Sequence, residues 1–169
     1  HRLRRNEDDS GGNSPTAGQG STNGSGEARE VRPSIAGFHL TQHRQRNSHA
    51  LNPMWILLDS ESTDHFFFNR DLLTNITTAP NGEVLRMHSS GGCIDTNQRG
   101  MFGDLPIWYH PRALGNVLSL ARLGKKYTVE FNTRIENAFI VHLTPFTTLK
   151  FICREPGLYV YDATNTDLS

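Results

Sequence analysis

An acid, a hydroxyl, a second acid and two more hydroxyls close an apolar run at residues 55–63: Trp55-Ile56-Leu57-Leu58-Asp59-Ser60-Glu61-Ser62-Thr63. A buried strand that ends in a carboxylate holds an acid ready for proton transfer, so Asp59 is the first candidate for general acid–base work. The same residue also fits a purely local role, because Asp at a strand end often accepts a backbone N–H two residues on. Glu61 places a second carboxylate next to the first, and any chemistry at Asp59 has to accommodate it.

Residue types that bind metal or phosphate fall into no comparable pattern. His39 and His43 are spaced for one helical face, but the Gln, Arg and Asn around them do not define a helix and no HExxH motif is present. Cys93 and Cys153 stand far apart, form no CxxC pair and read as reduced, buried side chains. Neither a metal nor a cofactor is expected. Arg2, Arg4 and Arg5 are followed at once by Glu7, Asp8 and Asp9, and the 17 Lys and Arg equal the 17 Asp and Glu, so nothing points to nucleic acid as a partner. No apolar run reaches the ~20 residues of a membrane helix, and no apolar core follows the N-terminal basic residues as in a signal peptide. An intracellular location without a membrane partner is therefore expected, and the missing initiator Met suggests a segment of a longer chain.

The elements that must position Asp59 begin near residue 50. Residues 6–30 contain no aromatic or branched aliphatic side chain, and such a stretch cannot offset the roughly 1–2 kcal/mol per residue of backbone entropy lost on ordering. Residues 1–50 are accordingly expected to form a disordered linker, 51–162 one mostly-β domain, and 163–169 a tail. Within 31–50, Val31, Ile35, Phe38 and Leu40 also allow a short docking segment.

Strands are expected at Met54 to Leu58, Thr74 to Thr78, Val84 to His88, Ile107 to His110, Tyr127 to Phe131, Ala138 to Leu143, Leu149 to Cys153 and Leu158 to Tyr161. Pro80-Asn81-Gly82 and Ser90-Gly91-Gly92 read as turns. The one helix is expected over Asn116 to Gly124, with Asn116 as its cap.

Two ordered elements carry a family resemblance. Leu57-Leu58-Asp59-Ser60-Glu61-Ser62-Thr63-Asp64-His65 is similar to the strand that ends in Asp-Ser-Gly-Ala-Thr, with a His soon after, in the retropepsins of copia-type retrotransposons. Ala113-Leu114-Gly115-Asn116-Val117-Leu118-Ser119-Leu120-Ala121 resembles that family's later hydrophobic-hydrophobic-Gly and Leu-rich helix, and Gly124 to Phe131 resembles the strand that follows. The likeness covers about residues 54–161.

The resemblance implies a retropepsin-like half-barrel and a homodimeric aspartic endopeptidase that processes a polyprotein in the cytoplasm, associated with virus-like particles. Each subunit would lend one catalytic Asp59, with Ser60 bracing the pair across the dimer and Ser62, Thr63, Leu114 and Gly115 supporting it. A glycine-tipped flap would span Met87 to Gly103, with Ser90, Gly91 and Gly92 at its tip; an ordinary surface hairpin fits the same residues.

Glu61 departs from the family, which has Gly there. A Glu forced to positive φ would cost about 1–2 kcal/mol, and its charge would raise the pKa of the shared pair. The expectation is thus a peptidase fold with weakened activity or, alternatively, a non-catalytic dimerisation or peptide-binding module.

Overall fold

The computed structural model describes residues 31–35, 51–89 and 92–165. In chain order its strands are β1 (Val31–Ile35), β2 (Trp55–Asp59), β3 (Phe66–Phe67), β4 (Thr74–Thr78), β5 (Val84–Ser89), β6 (Gly92–Thr96), β7 (Gln98–Phe102), β8 (Leu105–Tyr109) and β9 (Asn116–Ser119). The one α-helix among the described residues, α1 (Leu120–Lys126), leads to β10 (Thr128–Phe131), β11 (Ala138–His142), β12 (Thr148–Arg154) and β13 (Leu158–Asp162). The mostly-β expectation holds. Ten strands form one sheet in the order β10-β11-β12-β13-β2-β9-β3-β8-β7-β4, which does not close into a barrel, and β1, β5 and β6 form a second, smaller sheet.

The apolar run of β2 sits centrally because both of its faces are covered. It pairs antiparallel with β13 (Leu57 opposite Val160) and parallel with β9 (Leu57 opposite Val117, Asp59 opposite Ser119). Alternation along the strand then sends successive side chains to opposite faces. Ile56 and Leu118 join Phe67, Ile107, Leu123, Val141 and Phe151 on one side. Leu57 and Val117 join Leu85, Met87, Trp108 and Val160 on the other. Ile56 and Leu57 are 0% and 1% exposed, so each contributes roughly 1.5–3 kcal/mol of burial.

The helix begins later than its sequence signals indicate. Asn116 to Ser119 is strand, fully buried, and the helix is capped by Ser119, whose Oγ accepts the Arg122 N–H at 3.3 Å. Asn116 has a different task. Its Oδ1 accepts the backbone N–H of Phe68 (3.2 Å) and Asn69 (3.0 Å), while Nδ2 donates to the carbonyls of Pro53 and Trp55, both at 2.9 Å. One buried amide therefore joins three segments of the chain: the approach to β2, the turn after β3 and the start of β9. Tyr127, expected to open a strand, closes the helix by donating its N–H to the Leu123 carbonyl at 2.8 Å.

The flap assignment also changes. The hairpin is β5–β6, with Ser89 opposite Gly92, whereas β7 belongs to the large sheet and pairs with β4 and β8. The chain is redirected at Thr96, whose Oγ1 donates to the Tyr109 carbonyl (2.5 Å) and accepts the Gln98 N–H (3.1 Å). Val31–Ile35, placed in the linker by composition, is a strand parallel to β5. At the other end Ala163 is 7% exposed and donates its N–H to the Met54 carbonyl at 3.0 Å, and a 3-10 turn over Ala163–Asn165 carries the described structure into the expected tail. His39 and His43 lie outside the described residues, as do Ser90 and Gly91.

Candidate functional site

Asp59 is the last residue of β2, half-buried, where the backbone leaves the sheet. Its Oδ1 accepts the Glu61 N–H at 2.8 Å, the local turn that Asp at a strand end favours. Its Oδ2 is buried and has no hydrogen-bond partner among the described residues. Burial raises the pKa of this carboxyl, the Glu61 and Ser62 backbone N–H groups oppose the rise, and the Glu61 charge adds to it. A half-buried acid with one free oxygen and a raised pKa is able to hold a proton or to take one from water.

Alternation places Asp59 on the face of β2 that carries Leu57, against which Leu85 and Met87 of the β5–β6 hairpin pack. The hairpin therefore covers the side of the sheet to which Asp59 belongs. Gly92 has φ +117°, a backbone conformation open to glycine at little cost.

The loop after Asp59 is held by its backbone. Ser119 Oγ donates to the Ser62 carbonyl (2.6 Å), and Ser62, 2% exposed, donates its own Oγ to the Asp64 carbonyl (2.9 Å). Arg122 reaches back from α1, its Nε donating to the Thr63 carbonyl at 2.8 Å and its guanidinium paired with the Asp64 carboxylate. Ser119 N–H donates to His65 Nδ1 at 3.0 Å, which requires that nitrogen to be unprotonated and puts the ring proton on Nε2. The residue opposite Asp59 in register thus also fixes the loop that follows it.

His65 is 5% exposed, and burial, with the charges of Arg122 and Lys126, lowers its pKa from 6.5 to about 4. The unfolded chain takes up a proton near pH 6.5 that the folded chain refuses until about 4. The stability contributed by the neutral ring is therefore complete above 6.5 and lost as the pH falls through that window, by about 3 kcal/mol in all. Urea unfolding from pH 7 to pH 4 will show this decline, and His65→Gln will flatten it. Equal slopes for the two proteins would contradict the assignment.

The remaining sequence candidates are placed as follows. Ser60, Glu61 and Thr63 are exposed. Glu61 is not among the described non-glycine residues with positive φ, which are Asn75 and Asn81, so the backbone strain expected of a Glu at this position is absent and only its charge acts. Leu114 is 44% exposed and, with Leu51, Pro53, Phe68 and Ala113, lines an apolar cleft of about 400 Å³. Gly115 is buried, yet a Cβ there would meet Leu57 Cδ1 at 3.5 Å and Leu51 Cδ1 at 3.7 Å, ordinary contacts. Gly115→Ala is accordingly expected to change stability by less than about 1 kcal/mol in urea unfolding.

Three features carried no sequence signal of their own. The bracing by Ser119 and Arg122 depends on β9 and α1 meeting a loop far away in the chain. A second opening, of about 480 Å³, lies beside that loop between Thr63, His65, Leu105, Arg122, Lys125 and Lys126. Cys93, expected to be buried, is exposed on the hairpin with its Sγ 2.9 Å from His88 Nδ1 across the β5–β6 pair. No family model, curated protein or solved structure matches this chain.

Proposed function

We propose that the chain is a retropepsin-like aspartic endopeptidase domain that works as a homodimer on a retroelement polyprotein inside the cell. The observation that carries this reading is the unpartnered, buried Oδ2 of Asp59 at the open end of β2, on a carboxyl whose pKa burial raises. A single such acid is half of a hydrolytic site. When two copies bring their Asp59 side chains together, like charges at close range cannot both ionise readily, and one proton is shared.

The ionised member then takes a proton from a bound water as that water attacks the peptide carbonyl. The protonated member polarises the carbonyl oxygen and afterwards supplies the proton that the leaving nitrogen needs. The loop held by Ser119 and Arg122 keeps the pair in place, and the hairpin on the Leu57 face supplies backbone groups for an extended substrate.

Glu61 fits this scheme as a modulator. It is exposed and free of positive-φ strain, and its charge raises the Asp59 pKa. Glu61→Gln is expected to keep cleavage and to move the acidic limb of the pH–rate profile to lower pH. An unmoved limb would show that Glu61 does not act on Asp59 electrostatically. The alternative, a non-catalytic peptide-binding or dimerisation module, draws on the bond between Asp59 Oδ1 and the Glu61 N–H, which is a sufficient local role for the residue.

Dilution separates the two readings. Cleavage of a peptide library per mole of chain will rise with chain concentration and level off as the dimer fills. A rate per chain that is independent of concentration, or no cleavage at any concentration, would contradict the proposal.

A further inference from the structure

β1 is far from β5 in the sequence, yet Val31–Ile35 runs parallel to it over its whole length, with Val31 opposite Val84, Pro33 opposite Arg86 and Ile35 opposite His88. The order β1-β5-β6 makes β1 the outer strand of the small sheet. Without it, the outward N–H and C=O groups of β5 would form an open edge, which is a template for any extended chain. Pro33 has no N–H to donate, and such a residue is accommodated where one side of the strand has no neighbour. Among the described residues β5 is the one strand with which β1 pairs. The pairing therefore joins a short segment from before the large sheet to the hairpin alone.

We propose that Val31–Ile35 is an intramolecular strap: it docks on the hairpin by strand addition along β5 and restrains it. The recognition is main-chain hydrogen bonding, the mode by which sheet edges capture extended peptides. The strap occupies an edge that would otherwise accept another chain, and it ties the hairpin's freedom to the state of the N-terminal segment. Its expected effect on cleavage, slower turnover while the strap is docked, rests on the peptidase reading above. The docking itself does not.

The test uses the full chain with Arg32→Pro and Ser34→Pro together. Because Pro33 is accommodated on the side of β1 that has no neighbour, the alternate residues Arg32 and Ser34 are the ones that face β5, and the variant removes both of their N–H groups. Amide hydrogen exchange is followed by mass spectrometry in peptides covering Val84–Ser89 and, as an internal control for folding, Trp55–Asp59. Protection of the β5 peptide is expected to fall by roughly tenfold or more in the variant while β2 is unchanged. Equal exchange at β5 in the two proteins would overturn the strap. Wild-type protection at β5 that disappears on dilution would overturn its intramolecular character, since the strand would then come from a second copy. Cleavage is scored separately: absence of cleavage in both proteins counts against the peptidase reading, while the exchange result alone decides the strap.

Discussion

Replacing Asp59 with Asn will lower peptide cleavage by roughly a hundred- to ten-thousandfold, the range that a positioned general acid–base contributes, and the protein will remain folded. The geometry predicts both halves of this result. The Asn side-chain oxygen can still accept the Glu61 N–H that Asp59 Oδ1 accepts at 2.8 Å, so the turn out of β2 keeps its bond. What is lost is the second oxygen, buried and without a partner, which in a dimer would share the catalytic proton.

Stability should move in the opposite direction from activity. Because the folded-state pKa of Asp59 is raised above 3.8, the folded chain binds a proton in a range where the unfolded chain has released it. The resulting cost is absent below 3.8, grows as the pH rises through the raised value, and is fully present above it. Asp59→Asn removes that cost, so urea unfolding at pH 7 should show the variant to be at least as stable as the wild type. At pH 3 the difference should disappear. A variant markedly less stable at pH 7 would mean that Asp59 is there for the turn and not for chemistry.

Asn116→Ala will cost about 3–5 kcal/mol, as much as truncating a large buried apolar side chain. The side chain is fully buried and makes four hydrogen bonds, two as acceptor and two as donor. Alanine leaves the N–H groups of Phe68 and Asn69 and the carbonyls of Pro53 and Trp55 without that partner, and it opens a cavity as well. Asn116→Asp preserves the two acceptor contacts but turns a carboxylate oxygen toward two carbonyls, so it too should destabilise. The midpoint and slope of urea unfolding measure both variants. A loss below about 1 kcal/mol for Asn116→Ala would show that the four bonds are not a structural clasp.

These two residues also show what the sequence makes legible. Asp59 is visible because five residues of unbroken strand character end at it, and a strand buried on both faces needs only an apolar run to be recognised. Most of the other strands are visible for similar reasons, through alternation and bounding turns. Asn116 misleads because both it and Ser119 are good helix caps, and Val117 and Leu118 fit either a helix face or a buried strand. Pairing with β2 decides the matter, and that is a long-range fact.

β6 and β7 mix Gly, Cys, Asp, Gln and Arg with few apolar residues, so their strand character comes from their neighbours and from the turn at Thr96. β1 was hidden for the same reason, since its partner lies far away in the chain. The site behaves likewise. The acid could be found, but the bracing of its loop by Ser119, Arg122 and His65 exists only once β9 and α1 are in place.

The central claim is that two copies of Asp59 form one hydrolytic centre. Pepstatin, which occupies such paired-carboxylate sites, tests it by stoichiometry. Calorimetric titration of the concentrated chain should give one inhibitor bound per two chains, and none with Asp59→Asn. Binding of one inhibitor to each chain, or equal binding by the wild type and the Asp59→Asn variant, would contradict the account.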